Sequence, residues 1–435
     1  VSWATPSQAE RRAKSPKPYF AFYFQTPKDN SSLSGGAIDF DRDGDLDLVT
    51  VSIAPGAFVE GESVDPVPIR LFRNDRVPNE EDDIFVEVSG RLVKGIKAVN
   101  VGQYGVGVYD FNGDGLDDLY LGDYGPDIVP YVTGGQSILA LGTKSRKLRN
   151  VTRKNLPRYL ETTHDAAFGD VDGDGDIDIF ERNAACLDSG TPRGPQLLIN
   201  DGHAHFTMKE GALPVEIRTG DCQSYASALV DVDLDGDLDL VDGMAKDLYD
   251  SPAVLFNDGS GTFEFNDSSL LPKRAPAFET IQIESADLDL DGWPDLVLTN
   301  FDIDPADAFL QILMNRGGVF VDATNKMMPS RKQIGNGLNN LALADFNGDG
   351  WIDMVLSNNA PDDKWGPRFL FNKRGKKLVY AKKILFDESG EDPIGKTHSA
   401  IPIAADFDQD GDIDVVFQLG PFWYLENLRP YRPFR

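Results

Sequence analysis

Apolar residues along this chain come in short runs, broken by turns rich in glycine, proline and aspartate, and the runs recur in sets of four. In one set, Ala226-Ser-Ala-Leu-Val230 is followed across an aspartate-rich turn by Leu238-Asp-Leu-Val241. A third run ends in asparagine, as in Leu197-Leu-Ile-Asn200, Val254-Leu-Phe-Asn257 and Phe369-Leu-Phe-Asn372, and a fourth starts at Phe206, Phe263, Phe320 or Leu378. Runs this short, β-branched or aromatic and bounded by turn formers, predict strands. The repeating unit is therefore four strands in about 60 residues.

The turn between the first and second strands reads Asp39-Phe-Asp-Arg-Asp-Gly-Asp-Leu-Asp47 at its first appearance. The pattern starts again at Asp110, Asp170, Asp231, Asp287, Asp345 and Asp406, at intervals of 71, 60, 61, 56, 58 and 61 residues. A four-stranded unit cannot bury both its faces alone, and seven in tandem do so by closing into a ring. The predicted fold is all-β, a seven-bladed β-propeller. Small residues in the first strand of the units (Gly35-Gly-Ala37, Tyr104-Gly-Val-Gly107, Ala166-Ala167, Ala342-Leu-Ala344) suit the crowded position nearest the axis. Only two runs follow the seventh turn, Val415-Val-Phe-Gln418 and Phe422-Trp-Tyr-Leu425, while Tyr19-Phe-Ala-Phe-Tyr-Phe24 stands unassigned before the first. That N-terminal strand is expected to complete the last blade and tie the ring shut. The domain reading is an extension over 1–18, one propeller over 19–427 and a basic tail over 428–435.

Within each turn, side-chain oxygens at positions 1, 3, 5 and 9, glycine at 6 and a backbone carbonyl at 7 describe an all-oxygen cage for a hard cation. The side-chain ligands predicted are Asp39, Asp41, Asp43 and Asp47 in the first loop and Asp110, Asn112, Asp114 and Asp118 in the second. The third and fourth supply Asp170, Asp172, Asp174 and Asp178, then Asp231, Asp233, Asp235 and Asp239. Asp287, Asp289, Asp291 and Asp295 follow, then Asp345, Asn347, Asp349 and Asp353, and finally Asp406, Asp408, Asp410 and Asp414. The carbonyl donors are Asp45, Leu116, Asp176, Asp237, Trp293, Trp351 and Asp412. Calcium fits this set, since magnesium resists losing its waters and zinc and copper favour His and Cys. An EF-hand wants Glu at position 12 and flanking helices. Position 12 here is Thr50, Leu121, Glu181, Asp242, Leu298, Leu356 and Phe417, and the flanks are strands. Up to seven structural calcium ions are expected.

Through Asp-Phe-Asn-Gly-Asp-Gly-Leu-Asp-Asp-Leu (110–119) and Asp-Phe-Asn-Gly-Asp-Gly-Trp-Ile-Asp-Met (345–354), the chain resembles the FG-GAP/VCBS repeat family. That family includes the integrin α-subunit propeller and many secreted bacterial proteins. The resemblance spans essentially residues 19–427 and implies a propeller and calcium, with little bearing on activity. Integrin-like chains usually carry the loop in only some blades. A loop in all seven is more similar to the bacterial members, and the Phe-Gly and Gly-Ala-Pro signatures of the integrin repeat are mostly absent, so no integrin-type partner is implied.

The formal net charge of −29 sits largely in these loops, where seven divalent ions would cancel about half of it. It argues against general nucleic-acid binding. No stretch of about 18 apolar residues occurs, so no membrane span is expected. The opening VSWATPSQAERRAKSPKP lacks the apolar core of a signal peptide, and the expectation is a chain numbered from its mature end. Calcium loops point to a secreted, extracellular or periplasmic setting. Cys186 and Cys222 are expected to form a disulfide, with two free thiols as the alternative; the bridge would agree with an oxidising compartment. Basic clusters at Lys144–Lys154 and Arg429–Arg435 read as solvated surface, with an anionic polymer or another subunit as the alternative partner.

If strands run outward from the axis, the metal loops occupy one face and the connections between second and third strands the other. These connections are long in blade 1 (Ile53–Pro68), blade 3 (Cys186–Pro195), blade 5 (Phe301–Ala308) and blade 6 (Asn359–Pro367), as expected of a binding surface. The ends of the second strands, Asp123, Arg182, Asn183, Asp242, Asn300, Asn358 and Gln418, are expected to surround the axial mouth. Such groups suit a carbohydrate or an extended peptide; the plainer alternative is a water-filled channel. The leading expectation is a recognition or adhesion module for a glycan or protein. A polysaccharide lyase-like enzyme is the alternative, using His164 or His398 with Tyr104 or Tyr225 for proton transfer. A structural subunit of a surface assembly is the third. No nucleophile elbow, His-Glu-x-x-His, phosphate-binding glycine loop or cysteine metal pattern appears.

Overall fold

Every aspartate-rich turn joins two antiparallel strands, and two further strands complete each sheet. A computed structural model describes residues 20–25, 32–52, 65–75, 84–93, 95–98, 101–126, 134–183, 194–215, 217, 225–243, 252–266, 271–272, 279–301, 309–334, 338–358, 367–381, 401–418 and 422–427. Blade 1 consists of Ser32–Ile38, Asp47–Ser52, Arg70–Asn74 and Phe85–Glu87, and blade 2 of Val101–Tyr109, Asp118–Asp123, Ile138–Leu141 and Arg149–Asn150. Blade 3 is Thr163–Gly169, Asp178–Asn183, Gln196–Asn200 and Phe206–Met208, and blade 4 Ser227–Val230, Asp239–Asp242, Ala253–Asn257 and Phe263–Glu264. Blades 5 and 6 are Glu279–Ala286, Asp295–Phe301, Phe309–Asn315 and Phe320–Asp322, then Leu338–Ala344, Asp353–Asn358, Arg368–Asn372 and Leu378–Tyr380.

Blade 7 contributes Ile401–Ala405, Asp414–Gln418 and Phe422–Asn427, and its fourth strand is Phe20–Gln25 from the other end of the chain. The closing pair is antiparallel, from Phe20 opposite Asn427 to Gln25 opposite Phe422. Seven blades and the N-terminal closing strand are thus as the repeat predicts. Two features were not expected: a ribbon of Val67–Pro68 with Lys97–Ala98, and a parallel bridge of Tyr104 to Asp165 that joins the inner strands of blades 2 and 3.

The inner strands of all seven blades line one axial cavity of about 460 Å³. Crowding there explains the small residues. At Gly107 a Cβ would overlap the Phe168 ring of the next blade, so no larger side chain fits. No helix among the described residues is long and apolar enough to cross a membrane.

The core is divided among the seams. Each apolar cluster among the described residues draws from two adjacent blades, and the clusters follow one another right round the ring. A blade is therefore stable only between its neighbours, as in other repeat folds. The seam between blades 7 and 1 is aromatic: Phe85 stands edge-on to Phe407 and Tyr424 at 5.7 and 5.5 Å, and those two rings are 5.9 Å apart. Because Phe85 is buried between the Phe407 and Tyr424 rings of the neighbouring blade, Phe85→Ala is expected to cost about 3–5 kcal/mol. Denaturant unfolding checks this, and a loss under about 1 kcal/mol would contradict it.

Candidate metal centres and the opposite face

Each loop is held in shape by its own carboxylates. In loops 2, 3, 5 and 6 the position 1 aspartate accepts the amides of positions 5 and 6, one on each oxygen; in loop 3, Asp170 takes Asp174 at 3.2 Å and Gly175 at 2.9 Å. In all seven, position 5 accepts the amide of position 7. Folding back this tightly puts positions 4 and 6 at positive φ, 55–77° and 78–104° respectively. Position 6 is always glycine, for which this is free of steric cost. Leu234 and Leu290 adopt it at position 4, at a cost of roughly 1–2 kcal/mol each.

Position 9 is buried in every loop and binds the rest of the blade together. One oxygen of Asp239 accepts the amide of Val232 at 3.1 Å, and the other that of Asn257, at the end of the third strand, at 2.9 Å. The same double acceptance recurs at Asp47, Asp118, Asp178, Asp295 and Asp414. Asp353 differs only in taking Asn347, at position 3, beside Asn372. Burial pushes these carboxyls up, to about 8 at Asp47 and Asp414 and about 7 at Asp118, Asp178, Asp239 and Asp353. Asp295 stays nearer 6; burial again dominates, and the Arg316 guanidinium contributes to holding it down.

The remaining oxygens fit a hard cation. In loops 3, 4 and 7 carboxylate oxygens from positions 1, 3 and 9 lie within 4.8 Å of one another, and in loops 1 and 5 those from positions 1, 3 and 5 do. Buried oxygens of Asp41, Asp172, Asp231, Asp233, Asp289 and Asp406 receive no hydrogen bond among the described residues. Asn112 and Asn347 donate their amide nitrogens to Asp118 and Asp353, leaving the oxygen as the atom each can offer an ion. These clusters could hold metal ions: several carboxylates at such distances are costly together without a cation. Glu181, the one glutamate at position 12, is directed elsewhere. It accepts the hydroxyls of Tyr120 and Tyr159, the latter at 2.6 Å, within the seam between blades 2 and 3.

A further functional residue of the loops is the asparagine that ends the third strand. In blades 1, 3, 4, 5, 6 and 7 its side-chain NH2 donates to the position 2 carbonyl of the preceding blade's loop: Asn74 to Phe407, Asn200 to Phe111, Asn257 to Val171, Asn315 to Val232, Asn372 to Leu288 and Asn427 to Phe346, at 2.7–3.0 Å. Except in blade 5, it also donates to position 8 of its own loop at 3.0–3.2 Å. One side chain thus latches two metal loops. The recurring terminal asparagine was visible in the sequence, but its acceptor lies more than 80 residues away. Blade 2 has Gly142 at this place, and its seam uses Asp117, which accepts the amide of Asp39 at 2.8 Å.

On the opposite face, the described second-strand ends Asp123, Arg182, Asn183, Asp242 and Asn300 are buried, each with a polar partner. Arg182 of blade 3 reaches Asp242 of blade 4 at 3.1 Å. Asp123 accepts the amide of Gly125, Asn183 donates to Gly194 and accepts the Thr163 hydroxyl, and Asn300 accepts the Thr280 hydroxyl. His164 and Tyr225 come together, rings 4.5 Å apart, with Nδ1 of the imidazole 3.2 Å from the Tyr225 carbonyl; burial holds this histidine down to about 4. The side chains of Tyr104, Asn358 and Gln418 lie outside those described, as do His398, Cys186 and Cys222 altogether. Long connections also occur where the sequence reading named none, over 124–137 in blade 2 and 243–252 in blade 4. Below this rim, Asp165 crosses the seam to accept the Ser227 amide and hydroxyl at 2.6 and 3.0 Å, and burial pushes it from 3.8 up to about 7.

An FG-GAP-like repeat model matches residues 110–181, 231–298 and 287–356, so these three stretches are FG-GAP-like repeats. Among solved structures, the exotype rhamnogalacturonan lyase YesX aligns over 93% of this chain and 75% of its own, at 11% identity and a TM-score of 0.45. A Bacillus licheniformis rhamnogalacturonan lyase aligns over 95% and 74%, at 12% identity and 0.44. The Photorhabdus luminescens Tc holotoxin pore aligns over 99% and 21%, at 15% identity and 0.44. Superpositions this loose carry no conclusion about activity.

Two outcomes are expected. Asn257→Ala takes the donor from the Val171 and Leu238 carbonyls and the acceptor from the Gly259 and Gly261 amides, and is expected to cost about 2–4 kcal/mol, read by thermal or denaturant unfolding. An unchanged stability would refute the latch. Asp165 binds its proton more tightly folded than unfolded, so its contribution to stability declines as pH rises from about 4 to about 7. Asp165→Asn should remove that decline, by up to about 1.4 kcal/mol per pH unit, in unfolding curves taken across the range.

Proposed function

We propose that this ring of FG-GAP-like repeats is an extracellular or periplasmic recognition module, stabilised by calcium on one face and binding a glycan or a protein on the other. The contrast between the faces carries this reading. The turn bearing the aspartates keeps one nine-residue geometry in every blade, whereas the second-to-third-strand connections run from three residues (419–421) to seventeen (53–69). Uniform loops suit a structural task repeated at each blade. Connections that differ in length suit a surface shaped for one ligand.

The chemistry of the loops supports calcium in particular. Their donors are all oxygen, and no His or Cys takes part. Position 1 with positions 3, 5 and 9 would hold the ion, and the position 7 carbonyl would complete the shell. A bound ion would favour the ionised form of the buried position 9 carboxylates and relieve repulsion in a chain of formal charge −29. The paired rim of Arg182, Asp242, Asn183 and Asn300 supports the other half of the reading, since it makes a rigid platform beneath the variable connections.

A second reading, a polysaccharide lyase-like enzyme, draws on one observation, the contact of His164 with Tyr225. A neutral imidazole beside a phenol is a pair able to move a proton.

Chelation is expected to lower the melting temperature by about 10 °C or more, and Asp231→Ala to lower it in calcium before it weakens ligand binding. A melting temperature indifferent to chelator refutes the calcium half. Screening the calcium-loaded protein on glycan and peptide arrays identifies the ligand class. Incubation with a bound oligosaccharide then separates the readings: intact ligand supports recognition, and absorbance from an unsaturated product supports the lyase.

A further inference from the structure

Among the described residues, the loop of blade 5 differs from the other six in containing a closely bound cation of the protein's own. Arg316 directly follows the latch residue Asn315. Its guanidinium donates to Asp289 at 2.5 Å and to Asp291 at 2.6 Å, and lies 4.0 Å from Asp295. One side chain therefore addresses positions 3, 5 and 9 of its own loop. The matching residue is Asp75, Asp201 and Asp258 in blades 1, 3 and 4. In blade 6 it is Lys373, whose ammonium lies over the Phe371 ring.

The convergence of the carboxylates differs as well. Where positions 1, 3 and 9 converge in loops 3, 4 and 7, loop 5 instead gathers positions 1, 3 and 5. Loop 1 has the same altered convergence, and among the described residues it too has guanidinium groups at hand: Arg146 of blade 2 lies 3.5 Å from Asp41, and Arg73 acts on Asp41 from a longer range. The Arg146 contact is single and longer. Among the described residues only Arg316 spans two ligand carboxylates, the forked geometry for which arginine is suited.

We propose that Arg316 is a built-in counter-ion for the blade 5 loop, so that a divalent ion enters only by displacing the guanidinium and blade 5 is the weakest metal site of the ring. This rests on the reading of the loops as divalent-cation sites. Entry there costs two charge-assisted hydrogen bonds and sets a divalent ion against a nearby positive charge. In return, the loop keeps its shape when the metal is absent. Blade 5 is then the last site to fill and the first to empty.

The test is a calorimetric calcium titration of the full chain beside Arg316→Ala and Arg316→Lys, with melting curves in chelator. Arg316→Ala should tighten the weakest calcium step about tenfold or more and lower the melting temperature in chelator. Arg316→Lys should fall between, because an ammonium keeps the charge but lacks the planar fork that holds two carboxylates in fixed geometry, and it retains a cation at the site if the alanine chain proves unstable. Lys373→Ala should alter neither reading. A wild-type chain that binds calcium, with its weakest step unmoved by Arg316→Ala, overturns the inference alone. Absence of calcium binding in every chain overturns it together with the metal reading.

Discussion

The carboxylate at the ninth position of each loop is the interaction on which the rest of the ring depends. It is buried, it accepts one amide from its own loop and one from the end of the third strand, and in loops 3, 4 and 7 it converges with positions 1 and 3 on the place where an ion would be held. Its second donor is, in six blades, the backbone of an asparagine whose side chain reaches the loop of the preceding blade. A local requirement, two hydrogen bonds for a desolvated carboxylate, thereby becomes a contact between neighbours. Repeated round the ring, it makes the shape of one metal loop a condition on the next.

That coupling explains how the seams and the loops fit together. The apolar residue at position 2, such as Phe407 or Phe111, packs into the seam while its carbonyl receives the next blade's asparagine. Apolar burial supplies most of the attraction between blades, and the latch fixes their register. The seam between blades 1 and 2 lacks the latch and joins through Asp117 and Arg146, and blade 2 is also where a parallel bridge to blade 3 enlarges the sheet. This part of the ring is assembled by different contacts, and the sequence signals it by placing Gly142 where the other third strands end in asparagine.

Much of the fold was legible because a sevenfold repeat carries its own register. Asp39 to Asp406 counted the blades, and the unassigned N-terminal run located the closing strand. The site was legible only in part. That Asp239 would lie among candidate ligands followed from spacing; that it would also tie Val232 to Asn257 did not, since the terminal asparagine is separated from the loop in sequence. Arg182 and Asn183 do end the second strand of blade 3, but Asn183 meets Gly194 and Thr163 only once that blade has folded, and Arg182 meets Asp242 only when blade 4 packs beside it. The contact of Arg316 with Asp289 and Asp291 likewise joins residues 27 and 25 positions apart and leaves no signature in the sequence.

On the proposed account, ions in the loops stiffen each blade and, through the asparagine latch, its neighbour. Hydrogen–deuterium exchange resolved along the chain, in calcium and in chelator, tests that most directly. Calcium should slow exchange at the loop amides, at positions 2 to 7, and also at the asparagine amides that end the third strands, Asn200 and Asn257 among them. Exchange that is the same in calcium and in chelator at both sets of amides would contradict the account.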